Sequence, residues 1–141
     1  MLYCQPGFGG GQSVDLGTLG RLGFQHAGNA GEWQPFALSL TACPAGTTKT
    51  TVTFTGVQDG VDATLFANTE PSATAASHIA VQLAEDANRG VVLSDNSTMT
   101  VDIDSVSNTA SFPLAARLYT PSGGVQAGKI SSTVLVNFTY Q

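Results

Sequence analysis

The clearest alternation of apolar and polar positions lies near the end of the chain. In residues 130–140 the even positions Ile130, Ser132, Val134, Val136, Phe138 and Tyr140 form a mostly apolar stripe. The odd positions Ser131, Thr133, Asn137 and Thr139 are polar, with Leu135 the exception. A period of two sustained over this length, in β-branched and aromatic residues, predicts a long strand with one buried face. As the last strand of the sequence it is expected either to form an open sheet edge or to be covered by something else.

The same alternation recurs upstream in shorter runs. Phe36, Leu38 and Leu40 alternate with Ala37, Ser39 and Thr41 up to Cys43, and Val52 and Phe54 alternate with Thr51, Thr53 and Thr55. Leu65 and Phe66 predict a brief strand, and Ile79, Val81 and Leu83 share one face of another. Residues 86–90 predict a turn into Val91, Val92 and Leu93. Met99, Val101 and Ile103 alternate with Thr100, Asp102 and Asp104, leaving one wet face. Ala110, Phe112, Leu114, Ala116 and Leu118 give the next clean run, with Pro113 on the opposite parity, as suits a strand edge or a bulge.

Between these runs lie turn signals and irregular stretches. Residues 5–12 read as a loop, since no Gly-Lys-Ser/Thr ending or helical pattern follows to make them a phosphate cradle. A short strand is expected at 13–16 and irregular chain at 17–31, with Leu19, Leu22 and Phe24 tucked inward. Residues 73–76 could make a helical turn but are too few for a helix. Seven to nine short strands without a helix predict an antiparallel β-sandwich, immunoglobulin-like in broad architecture and a single domain over 1–141. Trp33 lies ten residues before Cys43, and is expected to pack in the core or against a loop.

Composition narrows the setting. Apolar residues make up 42% of the chain and charged residues 11%, so the chain is a folded protein with a hydroxyl- and amide-rich surface. A net charge of −5 with five scattered basic residues argues against nucleic acid. No apolar run approaches the ~20 residues that span a bilayer. Met1 is followed directly by Leu2, Tyr3 and Cys4, without the basic and apolar regions of a signal peptide, which suggests a processed or engineered secreted protein. Cys4 and Cys43 allow one pairing: either a disulfide made in an oxidising compartment such as the periplasm, or two buried free thiols. The disulfide is favoured, and closing that loop would stabilise by roughly 4 kcal/mol in the chain-entropy model.

Candidate chemistry is sparse. His26 and His78 lack further ligands at metal-binding spacing, and no Gly-x-Ser-x-Gly elbow accompanies the serines. Asp102 and Asp104 share a strand face but make a poor cation site without further oxygen ligands. Neither catalysis nor a metal, cofactor or small-molecule substrate is indicated.

A glycine fourteen residues from the end and a penultimate aromatic, Gly128 and Tyr140, resemble the C-terminal signature of chaperone–usher pilus subunits. The resemblance extends through Val14-Asp-Leu-Gly17, Ala37-Leu-Ser-Leu-Thr-Ala-Cys43-Pro, Phe54-Thr-Gly-Val-Gln-Asp59, Ile79-Ala-Val-Gln-Leu83 and Phe112-Pro-Leu-Ala-Ala-Arg117, in the family's order. Among these subunits the chain is most similar to the small adaptor pilins of the type 1 pilus tip.

The resemblance implies an incomplete sandwich completed by a donated strand, first from a periplasmic chaperone and then, at an outer-membrane usher, from a neighbouring subunit. It implies an acceptor groove lined by Ile130, Ser132, Val134, Val136, Phe138 and Tyr140, and chaperone recognition at Gly128, Tyr140 and Gln141. It also implies the Cys4–Cys43 disulfide, passage through the periplasm and a final place in an extracellular pilus. Family members carry a donor extension and a first strand before the first cysteine. Only three residues precede Cys4 here, so the chain is expected to accept a strand and not to offer one. A strand filling the groove would contribute on the order of 6–15 kcal/mol before ordering costs, comparable with a whole domain's stability of ~5–15 kcal/mol. The alternative is the carbohydrate-binding or pilin domain of a tip adhesin, with Trp33, Glu32 and Phe24 as its sparse aromatic and acidic cluster.

Overall fold

The computed structural model describes residues 4–6, 14, 24–71, 73–126 and 128–141. Nine strands run through these residues: β1 (Gln5–Pro6), β2 (Gln34–Thr41), β3 (Lys49–Thr55), β4 (Phe66–Ala67), β5 (Ala80–Glu85), β6 (Val92–Leu93), β7 (Thr98–Asp102), β8 (Ala110–Tyr119) and β9 (Leu135–Tyr140). All their ladders are antiparallel, and no α-helix occurs among the described residues. Most of the expected loop at 5–12, the strand at 13–16, and Leu19 and Leu22 lie outside the described residues. Phe24 is buried, as expected.

The strands make two sheets. One follows the order β1-β2-β8-β5-β4, and β6 sits farther along the same edge of β5 as β4. The other is β7-β3-β9. The residue alternation explains why they face each other. Leu38 and Leu40 of β2, Val52 and Phe54 of β3, and Phe112 and Leu114 of β8 all point into one buried cluster. Rings from the two sheets meet there, with Phe112 and Phe138 centroids 5.7 Å apart, a spacing that suits tilted aromatic pairs. Thr50 is the polar intruder, completely buried, and its hydroxyl donates to the Thr139 carbonyl at 3.0 Å, so burial leaves it satisfied. This is the immunoglobulin-like antiparallel sandwich that the strand pattern predicts.

A second, smaller cluster of Phe24, Ala76, Ile79, Leu118 and Val125 fills the end of the sandwich where β8 finishes, and Val81 packs on both clusters. Cys4 and Cys43 are bonded and buried, tying β1 to the chain just after β2. Residues 73–76 form a turn rather than a helix, since Ala75 and Ser77 bridge to Lys129 and Gln126.

Two expectations need correction. β8 is a central strand, flanked by β2 and β5, yet it contains Pro113. The ladder with β5 runs out at the pair Glu85–Leu114, and the Pro113 carbonyl accepts from Asp86 N just beyond it. In an antiparallel strand a residue's N–H and C=O point to the same neighbour, so the missing proline N–H falls where β5 has ended. The last strand is also shorter than predicted. The ladder begins at Leu135, and the reason lies in what holds residues 128–134.

Candidate functional site

β9 pairs with β3 in the register Val52–Phe138 and Phe54–Val136, and the strand order ends at β9 among the described residues. The predicted parity holds through the segment. Val134, Val136, Phe138 and Tyr140 are half-buried against the main cluster, while Leu135 points out and is 64% exposed. Ile130 packs instead on the smaller cluster, and Ser132 is half-buried between the two groups. The six stripe residues thus share one face but span both cores.

The hydrogen-bond pattern shows which way each backbone group points. Gln141 and Lys49 exchange bonds, Gln141 N to Lys49 O at 2.9 Å and Lys49 N to Gln141 O at 3.3 Å. Alternation then makes Asn137 and Leu135 bond inward to β3, while Val136 directs its N–H and C=O away from it. Phe54, the partner of Val136, agrees, since its N–H and C=O are taken by Ser97 and Asn96 on the β7 side.

Upstream of Val134 the same segment belongs to the other sheet's end loop. Asn68 uses its whole amide there. Its Nδ2 donates to Lys129 O at 2.9 Å and Ala76 O at 3.2 Å, and its Oδ1 accepts from Ser131 N at 3.0 Å and Glu70 N at 3.2 Å. Thr69 adds its N–H and hydroxyl to Ser131 O at 2.7 and 3.0 Å. These bonds to side chains and to loop backbone replace a strand ladder, which is why the alternation continues where the ladder does not. A side chain at Gly128 would run into the backbone of Ala75 and Ala76, so this glycine permits the close approach of the two segments.

The other predicted recognition residues sit at the opposite end of β9. The Tyr140 hydroxyl donates to Cys4 O at 3.4 Å, linking the strand end to the disulfide. The Gln141 carbonyl also accepts from Thr48 N at 2.6 Å. Gly128 is therefore far along the segment from Tyr140 and Gln141, and the three do not form one local cluster.

The candidate chemistry disperses. His26 and His78 are exposed, and no group of three metal-binding side chains occurs among the described residues. Asp102 pairs with Lys49 Nζ at 2.7 Å across the sheet surface. Asp104 lies beyond the end of β7, and its carboxyl is held below the usual range by the N–H groups of Val106 and Ser107. Of Trp33, Glu32 and Phe24, Phe24 is buried in the smaller core, Trp33 is half-buried and Glu32 is exposed. Trp33 meets the guanidinium groups of Arg89 and Arg117, a tertiary arrangement without a local sequence signal.

Comparison with known proteins places this architecture in a class. The fold matches that of the P pilus rod subunit PapA with a TM-score of 0.73 at 17% identity, over 98% of this chain and 99% of that one. It matches the P pilus adaptor subunit PapF with a TM-score of 0.66 at 17% identity, over 100% and 98%. At such identities the likeness is one of fold, and the fold is that of a pilin. The sequence itself matches the family described as Fimbrial protein over residues 4–141. It is 35% identical to Protein FimG of Escherichia coli (strain K12) across 91% of this chain and 72% of that relative. The chain belongs to the fimbrial protein family. It is a structural subunit of a fimbria, and its partners include other pilus subunits in an extracellular fibre.

Proposed function

We propose that the groove along residues 130–140 accepts a β-strand donated by a neighbouring subunit. Before assembly a periplasmic chaperone fills the same groove, and exchange takes place at the outer-membrane usher. Pilin donor-strand complementation is an established case of strand addition to a sheet edge, with main-chain bonds giving affinity and alternate side chains giving specificity. The observation that carries this reading is the edge of β9: Val136 turns its backbone groups away from β3 while its side chain stays on the core. A strand laid there would gain hydrogen bonds and cover the half-buried stripe together.

Gly128, Tyr140 and Gln141 then act in chaperone recognition from the two ends of the segment. Gly128 fixes where the segment enters, and Gln141 lies at its far end, tied through its backbone to Lys49. The role is one of assembly rather than catalysis, and the chain works as one pilin domain. For the adhesin alternative, only Trp33 and Glu32 of its three residues are open to solvent, since Phe24 is buried.

A thermal melt with and without a synthetic peptide of alternating apolar residues tests the proposal. A higher melting temperature with peptide, rising with its concentration, is expected from binding to the folded state. A monomer that melts cooperatively at the same temperature either way contradicts it.

A further inference from the structure

Residues 128–134 are held to the larger sheet through side chains, and Asn68 is the residue on which that hold turns. Asn68 follows directly on β4, whose Phe66 is completely buried and whose Ala67 pairs with Ala80 of β5. It is thus anchored in the larger sheet, whereas β9 belongs to the smaller one. Its Nδ2 faces two carbonyls, Lys129 O and Ala76 O, and its Oδ1 faces two N–H groups, those of Ser131 and Glu70. No other side chain of this size offers donors and acceptors in that arrangement. Reversing the amide would set like against like at every one of these contacts.

These bonds also fix the direction of the groups they leave over. Both backbone groups of Lys129 are spent inward, the N–H on Thr74 O at 2.8 Å and the carbonyl on Ala76 N and Asn68 Nδ2, each at 2.9 Å. Both groups of Ser131 are spent likewise, on Asn68 Oδ1 at 3.0 Å and on Thr69 N at 2.7 Å. Successive residues of an extended chain point their N–H and C=O to opposite sides, so Ile130 and Ser132 direct theirs outward. Those groups have no partner among the described residues. The parity is that of Val136, which turns away from β3. The even positions therefore share one edge, from the smaller core at Ile130 to the main core at Val136. β3 sets its direction in one half and Asn68 in the other.

We propose that Asn68, assisted by Thr69, is the positioning residue for strand acceptance: it orients Ile130 and Ser132 so that an incoming strand pairs along both halves of the segment. This role rests on the acceptor reading of residues 130–140 and adds the length of the occupant. The partner it fits is an extended segment that runs from Ile130 past Val136, with apolar side chains that reach both cores. A shorter strand engages β9 alone. The clip holds the first half in place before binding, so less order has to be created when the strand arrives. Thr69 supports it with an N–H and a hydroxyl on the Ser131 carbonyl.

The full chain is tested with two synthetic peptides of alternating valine and threonine, one as long as residues 130–140 and the other as long as residues 135–140. Affinity and residue-by-residue amide exchange are measured with each. On the unaltered chain the long peptide should slow exchange at Ile130, Ser132 and Val136, and bind at least about tenfold more tightly than the short one. Asn68→Asp keeps the shape and the acceptor oxygen but removes both donors and sets a charge against two carbonyls. The long peptide should then still protect Val136 but no longer Ile130 or Ser132, and its advantage should fall to about twofold. If that variant does not fold, Thr69→Val loses only the hydroxyl bond and should cut the advantage about threefold while the short peptide binds as before. A merely structural role would weaken both peptides alike and lower protection at all three amides, and that outcome overturns the proposal. An undiminished advantage in the variants overturns it too. So does unchanged exchange at Ile130 and Ser132 in the unaltered chain while Val136 is protected, a result that leaves the groove along β9 standing. Binding of neither peptide overturns the acceptor reading and this role together.

Discussion

The two halves of the C-terminal segment share a sequence pattern but not a structure. Residues 135–140 form β9, an ordinary antiparallel strand on β3. Residues 128–134 show the same alternation, yet their hydrogen bonds go to the side chains of Asn68 and Thr69 and to the loop at 74–76. Alternation reports which face of the chain is buried. It does not report what the backbone bonds to. In the second half the two coincide because β3 lies alongside. In the first half the chain crosses to the smaller core, where Ile130 is half-buried while the backbone around it bonds to loops.

The largest effect is expected where a charge is placed on the shared buried face. Val136→Asp should cost about 3 kcal/mol in chemical denaturation and abolish binding of a donor peptide. Asn137→Asp, one residue on and facing solvent, should stay within roughly 0.5 kcal/mol. Equal losses for the two would mean that parity does not govern the ladder half.

Next in size is Gly128→Val, which forces a side chain into the backbone of Ala75 and Ala76. A loss of about 2 kcal/mol is expected, with amide exchange rising at 129–131 while Asn137 stays protected. Asn68→Ala removes the clip without adding bulk. It should cost about 1–2 kcal/mol by leaving partly buried backbone groups unpaired. If exchange then rises equally at Ser131 and Asn137, the two halves are one unit and the comparison fails.

The smallest effect concerns another side-chain clip, in the loop after β3. Asp62 Oδ1 accepts from Thr64 Oγ1 and N at 2.6 and 2.9 Å. These bonds hold its carboxyl below the ordinary 3.8. A carboxyl with a depressed folded pKa stabilises fully above its unfolded value, and that contribution is lost as pH falls through the lower folded one. The melting temperatures of wild type and Asp62→Asn should therefore differ slightly at about pH 5 and converge toward about pH 2.

Much of this was legible in the residues. Parity placed Leu135 outside and Val136, Phe138 and Tyr140 inside, because a period of two leaves no other choice once one face is apolar. The isolation of Cys4 and Cys43 pointed to their bond. What sequence could not supply was partnership across long separations. The Asn68 clip acts on residues about sixty positions away, in a loop that reads only as polar turn. The Trp33–Arg117 stack joins chain segments with no shared motif, so Trp33 read as a packing residue. Pro113 argued for an edge, and only the early end of β5 explains how a central strand tolerates it.

The central claim is that a strand adds along the outer side of β9, and amide exchange measured residue by residue tests it most directly. On adding a donor peptide, protection should rise at Val136, whose N–H points away from β3. Leu135 and Asn137, already bonded to β3, should change little. If the Val136 amide is unchanged while the peptide is bound, or if protection rises instead along β4 and β6 at the edge of the other sheet, the strand does not add where this account places it.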